Sequence, residues 1–172
     1  MPQPVCQTLY PYQLCERDTR LQGELALSSL VRLTDMLSLL DGVVLYHITF
    51  SRDIERYHRV QVKAQAQLPL DCQRCLSVFQ YPIEIDSLLS PVRGDQEIQR
   101  LPEAYEPLLV SATESVVLSE LIEEELMLAM PLMPKHPDQQ CPLPVQLDYP
   151  AAVSITPEAP NPFAILDVLR SK

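Results

Sequence analysis

Cys72-Gln73-Arg74-Cys75 is the segment of this chain best equipped for chemistry, because two thiolates two residues apart can wrap one tetrahedral ion. His136 and Cys141 form a His-x4-Cys pair further along. Together the four residues make a Cys3His set of the type that holds structural zinc. Other readings stay open: free thiols, a redox dithiol, or a surface histidine with an unrelated cysteine. A thioredoxin-type dithiol belongs at a helix N-terminus within a βαβ pattern, whereas Cys72 and Cys75 stand between two strand-like runs. Cys6 and Cys15 lack such a pairing and read as ordinary thiols. Five cysteines, an odd number, behind an N-terminus without a basic start and apolar run, fit a reducing cytoplasm better than a disulfide framework.

Two charged clusters could meet a partner. Arg52, Arg56, Arg59 and Lys63, with Tyr57 and His58 among them and Arg74 at the next turn, are residue types that contact RNA phosphates and bases. The plainer alternative is a solvated loop balanced by Asp53 and Glu55. Glu120, Glu123, Glu124 and Glu125 crowd the first half of a helical pattern with no Lys or Arg four residues away. Carboxylates there gain from the helix dipole, and an unpaired acidic face would also receive a basic protein.

The charge balance favours that second use. The chain carries a net charge of -10. Residues 1–100 hold ten basic and twelve acidic side chains, and residues 101–172 hold three and eleven. Such a chain has little counterion release to gain from naked nucleic acid. Enzyme chemistry has few footholds: the three glycines stand far apart, which argues against a phosphate-cradling loop, and Gly-x-Ser-x-Gly and His-Glu-x-x-His are both missing. No run of about 18 apolar residues suggests a membrane span.

The elements that must position these residues follow from periodicity. Leu30, Leu33, Leu37 and Leu40, behind Ser28 and Ser29, predict a helix over Leu30–Leu40 ending at Asp41-Gly42. Val43–Phe50 reads as a strand. Val60 to Leu70 and Phe79 to Ile85 alternate apolar and polar residues, and predict a hairpin with the cysteines at its tip. Pro82 within the second run cannot donate to a ladder, so a free edge or a bulge is expected there. A short strand near Pro107–Val110 and a helix over Leu118–Met130, apolar nearly all round in its last two turns, complete the core. Nine prolines in Pro131–Pro162 exclude regular structure, and Phe163, Leu166 and Leu169 suggest a short amphipathic tail helix. The expectation is one α+β domain over residues 1–172: an antiparallel sheet of about four strands, two main helices, a core at about 25–131, and a Pro-rich arm and tail at 132–172.

Four ordered motifs then carry a resemblance. Leu70-Asp71-Cys72-Gln73-Arg74-Cys75, Leu101 to Pro107, Glu123 to Pro131 and Pro160-Asn161-Pro162-Phe163-Ala164 are similar to the YceD family, the large ribosomal RNA subunit accumulation proteins of bacteria. The resemblance covers about residues 70–166, and the first 60 residues resemble the family only in pattern. It implies a non-enzymatic cytoplasmic protein needed for synthesis, processing or stability of 23S ribosomal RNA. With the acidic cluster, it points to a basic large-subunit ribosomal protein or a pre-ribosomal particle as partner, with RNA contact secondary. The competing reading is a thiol oxidoreductase or an RNA-processing enzyme built on the Cys72 and Cys75 hairpin.

Overall fold

A computed structural model describes residues 7–137 and 141. β1 (Thr8–Leu9) leads into a short helix, α1 (Pro11–Glu16), which opens on proline at a position whose N–H would lack a helical partner anyway. β2 (Arg20–Ala26) follows, then a single 3-10 turn and a one-turn helix, α2 (Val31–Thr34). Three long strands come next: β3 (Val43–Arg52), β4 (His58–Asp71) and β5 (Val78–Val92). A helical turn, α3 (Asp95–Ile98), and two short strands, β6 (Glu106–Leu109) and β7 (Val116–Val117), lead to α4 (Leu118–Ala129).

The main sheet has the order β2-β3-β4-β5-β6, and β1 pairs with β7 in a separate two-stranded ribbon. The α+β expectation holds, but not its details. The sheet has five strands rather than four, and it is mixed, because β6 joins β5 in parallel. Strand β2 and the β1–β7 ribbon had no clear alternation to announce them. β6 runs beside Leu89–Val92 alone, so Pro82, opposite Gln67 of β4, faces an edge with no second strand among the described residues. The arm beyond Pro137, Cys141 excepted, and the expected tail helix lie outside the described residues, as does Cys6.

One face of the sheet builds the core. Val44, Ile48 and Phe50 of β3, Val60 through Leu70 of β4 at every second position, and Ile83, Ile85 and Leu89 of β5 are all buried. Leu118, Leu121, Ile122 and Leu126 of α4 close over them in the same cluster, as do Leu9 and Cys15 from the N-terminal elements. Burial pushes the Cys15 thiol up to about 11, which marks it as a packing residue. The opposite sheet face is polar and self-paired: Lys63 binds Asp86 at 2.9 Å, and Gln65 donates to Glu84 across the strands at 3.0 Å. A Cβ at Gly23 would lie 2.7 Å from the Tyr46 hydroxyl of the neighbouring strand, so that ring would have to shift to admit one.

Two helical expectations change. The stretch Leu30–Leu40 makes one α-helical turn instead of a full helix. Past Thr34 the chain is drawn away, with the Ser38 N–H donating to Pro69 O at 2.9 Å, and Leu39 and Leu40 are about half exposed. Nor do Ser28 and Ser29 cap it: Ser29 Oγ donates to Ala26 O. The acceptor comes from α4, where Glu123 Oε1 receives the Arg32 and Leu33 N–H groups at 2.7 and 3.0 Å. A helix that begins behind a leucine has no local side chain to satisfy its first donors, and a carboxylate ninety residues away supplies it. Glu123 is 4 % exposed. This corrects its assignment to a partner-binding face: the side chain is spent inside the fold. Along the rest of α4, Glu120 and Glu124 are exposed and Glu125 is buried. The last turn is not covered as expected, since Leu128 is 72 % exposed.

Replacing Glu123 by Ala orphans two partly buried donors, which should cost about 2–3 kcal/mol and lower Tm by roughly 5–10 °C. Glu124→Ala, one residue on and exposed, should change stability by less than about 0.5 kcal/mol. Equal melts for the two variants would remove the cap from the account. For Glu125, burial raises the carboxyl pKa, and the neighbouring Glu106 and Glu124 carboxylates raise it further against a hydrogen bond with Ser87. The folded state therefore holds this proton more tightly than the unfolded chain. Stability from this group is present below its ordinary titration range and is lost as pH rises through the raised value. Glu125→Gln should melt higher than the parent at pH 7, with the gain shrinking towards pH 4; an unchanged difference across that range would contradict this.

Candidate metal centre

The β4–β5 turn places the first two ligand candidates. Cys72 N–H donates to Ser77 O at 3.0 Å and Leu76 N–H to Cys72 O at 2.8 Å, closing a compact knuckle. Leu76 takes the left-handed conformation at φ 59°, which lets the chain reverse without a glycine. The segment after α4 then returns to the knuckle. Pro131 stops the helix, with Met130 already extended, and Gln73 N–H donates to Pro134 O at 2.9 Å. The His136 ring lies over Phe79, centroids 4.5 Å apart.

The four expected ligands converge. Cys72, Cys75, His136 and Cys141 offer ligand atoms that all lie within 4.8 Å of one another. Cys72 Sγ is 3.8 Å from Cys141 Sγ, and Cys75 Sγ is 3.6 Å from His136 Nδ1. Tetrahedral coordination with metal–sulfur bonds of about 2.3 Å and a metal–nitrogen bond of about 2.05 Å has edges of about 3.8 Å between sulfurs and about 3.6 Å from sulfur to nitrogen. The two observed separations match those edges, and the sulfur pair lies far beyond the roughly 2.05 Å of a disulfide. Cys72 and Cys141 are buried, and Cys75 and His136 half-buried, as in a closed structural site.

The electrostatics point the same way. Burial works against ionisation of Cys72, but backbone N–H groups of His136, Cys75 and Arg74, and the His136 side chain, outweigh it and hold the thiol down at about 5. Cys141 moves upward, because burial and the nearby Cys75 and Cys72 thiols oppose its charge more than the Arg74 guanidinium favours it. Arg74 Nε donates to Cys141 Sγ at 3.1 Å. One thiolate is thus ready-made and another has a cation beside it, a setting suited to a cationic ion.

This geometry reassigns Arg74. It belongs to the cysteine cluster, whereas Arg56 and Arg59 lie at the other end of β4, roughly 40 Å away at about 3.3 Å per residue. Arg56 lines a cleft there with Arg93 and Arg100, two residues for which local sequence offers no signal, because loops some forty positions apart bring them together. Glu120 and Glu124 remain exposed on α4. No described helix is long and apolar enough to cross a membrane.

Comparison with known proteins adds to this geometry. A family model described as large ribosomal RNA subunit accumulation protein YceD matches residues 60–170. The chain is 29 % identical over 169 residues to the large ribosomal RNA subunit accumulation protein YceD of Haemophilus influenzae, covering 96 % of this chain and 95 % of that protein. No solved structure matches. The family match takes in the hairpin with its cysteine knuckle, α4 and the Pro-rich arm, and the chain belongs to the YceD family.

Proposed function

We propose that this protein is a cytoplasmic, non-enzymatic factor that supports accumulation of the large-subunit ribosomal RNA, and that Cys72, Cys75, His136 and Cys141 hold a structural zinc ion. The family membership supports the first part, since both the family and the relative carry that role in their names. The convergence of the four ligand atoms within 4.8 Å, with two of their separations at tetrahedral edge length, supports the second. Zinc here would act as a staple. It would join the β4–β5 knuckle to the segment that follows α4 and supply folding energy there. A dithiol oxidoreductase is disfavoured by the same geometry, because the pair sits in a strand turn with two further donors against it. The partner we assign is a basic large-subunit ribosomal protein or a pre-ribosomal particle. The exposed carboxylates of Glu120 and Glu124 would meet it, with RNA contact from the Arg56 and Arg59 end.

Two measurements test these parts separately. Elemental analysis of the purified full chain should find about one zinc per chain. Cys75→Ser and Cys141→Ser should each lose most of it, and chelation should lower Tm of the parent but not of the variants. A metal-free parent whose melt ignores zinc and chelator would end the zinc assignment. In a bacterium lacking its own YceD protein, this chain should restore the ratio of large- to small-subunit ribosomal RNA, and Cys72→Ser should restore it poorly. Failure of the parent, produced at normal level, would sink the accumulation role.

A further inference from the structure

The cleft at the far end of β4 gathers three arginines in an acidic molecule. It has a volume of about 260 Å³ and lies between the β3–β4 loop, α1 and the segment from the end of β5 through α3. Arg56, Arg93 and Arg100 line it, and none of the three makes an ion pair with a carboxylate among the described residues. Glu97 is the one acidic residue in the lining, and its Oε2 accepts the Arg93 backbone N–H at 2.8 Å. The cleft therefore keeps a surplus of about two positive charges in a chain of net charge -10.

Aromatic rings alternate with these arginines. The Arg93 guanidinium stands over the Tyr12 ring, 5.4 Å from its centroid, and the His58 ring meets Tyr12 edge-on at 4.8 Å. Tyr57 donates through its hydroxyl to Arg100 O at 3.2 Å, and its own N–H is held by Asp53 Oδ1 at 2.8 Å. The hydroxyl bond, with Tyr105 tilted against the ring at 6.1 Å, holds Tyr57 in the lining of the cleft. Burial lowers the His58 pKa, with Arg52 and Arg93 adding to the effect, as expected where positive potential is concentrated. Arginine forks suit phosphate oxygens, and a fixed tyrosine suits the face of an unstacked base. A cavity at or below the size of small-molecule sites has room for about one nucleotide.

We infer that this cleft binds one nucleotide of single-stranded RNA, with phosphate across Arg56, Arg93 and Arg100 and a base against Tyr57. The inference rests on the ribosomal RNA reading above and deepens it. RNA contact moves away from Arg74 to this cleft, while the net charge of -10 gives the molecule as a whole little attraction for a polyanion. An acidic peptide would satisfy the arginines but leave the tyrosine ring without a use.

The test uses the full chain and a labelled single-stranded RNA of about twelve nucleotides, followed by fluorescence anisotropy. The parent should bind, more weakly as salt is raised. Arg93→Ala combined with Arg100→Ala should weaken binding at least about tenfold, and Tyr57→Ala by about 5- to 100-fold, while Tyr57→Phe stays near the parent. Thermal melts check that each variant is folded. Unchanged binding by the double arginine variant overturns the site. Unchanged binding by Tyr57→Ala overturns the nucleotide assignment, and so does a polyglutamate peptide that displaces the RNA at lower concentration than unlabelled RNA does. The ribosomal RNA ratio in cells is a separate readout. A parent that restores the ratio without binding RNA refutes this cleft alone, and one that binds RNA without restoring the ratio refutes the accumulation role alone.

Discussion

The register of the β4–β5 hairpin is the constraint on which the molecule depends. Twelve consecutive pairs run from Val60 opposite Leu89 to Asp71 opposite Val78. Because strand side chains alternate faces, a slip by one residue would send Gln61, Lys63, Gln65 and Gln67 into the core and expose the buried series from Val60 to Leu70. Four large apolar side chains on β4 alone, Val60, Val62, Leu68 and Leu70, oppose such a slip, each contributing about 1.5–3 kcal/mol on full burial. The same register aims the knuckle, since Asp71 and Val78 are the last pair before Cys72.

Length turns this hairpin into a spacer between two chemistries. One end presents soft thiolates and an imidazole, closed in by a returning segment. The other presents hard cationic forks beside tyrosines. Held a strand's length apart, each set keeps its own potential in spite of the overall negative charge. Between them, the polar sheet face pairs its charges internally, with Lys63 on Asp86 and Gln61 donating to Asp86 at 2.8 Å.

Glu123 shows what a buried charge contributes in such a fold. Its carboxylate loses water, and recovers two short hydrogen bonds from N–H groups at the positive end of a helical turn. The bond also joins α2, which precedes the sheet in sequence, to α4, which follows it. Glu120 and Glu124 have no such task and keep their charge at the surface. Four glutamates within six residues thus divide between scaffold and solvent according to where the helix turns each of them.

Much of this was legible in the residues alone. The alternation at Val60–Leu70, the β-branched run at Val43–Phe50, the helix at Leu118–Met130 and the Cys3His set depend on local spacing, and local spacing is written in one dimension. The four ordered motifs from Leu70 to Ala164, taken together, were also sufficient to name the family. What escaped has no local signature. Strand β2 is held by its pairing with β3 rather than by alternation of its own, the parallel β6 pairs only through an intervening loop, and the Leu30–Leu40 pattern lost its helix to a hydrogen bond from Ser38 to Pro69. Which glutamate is buried, which arginine joins the thiols and which three arginines share a cleft are decided by contacts between residues tens of positions apart. Only the closed chain sets those distances, because sequence order constrains neighbours along the backbone and leaves neighbours in space to packing.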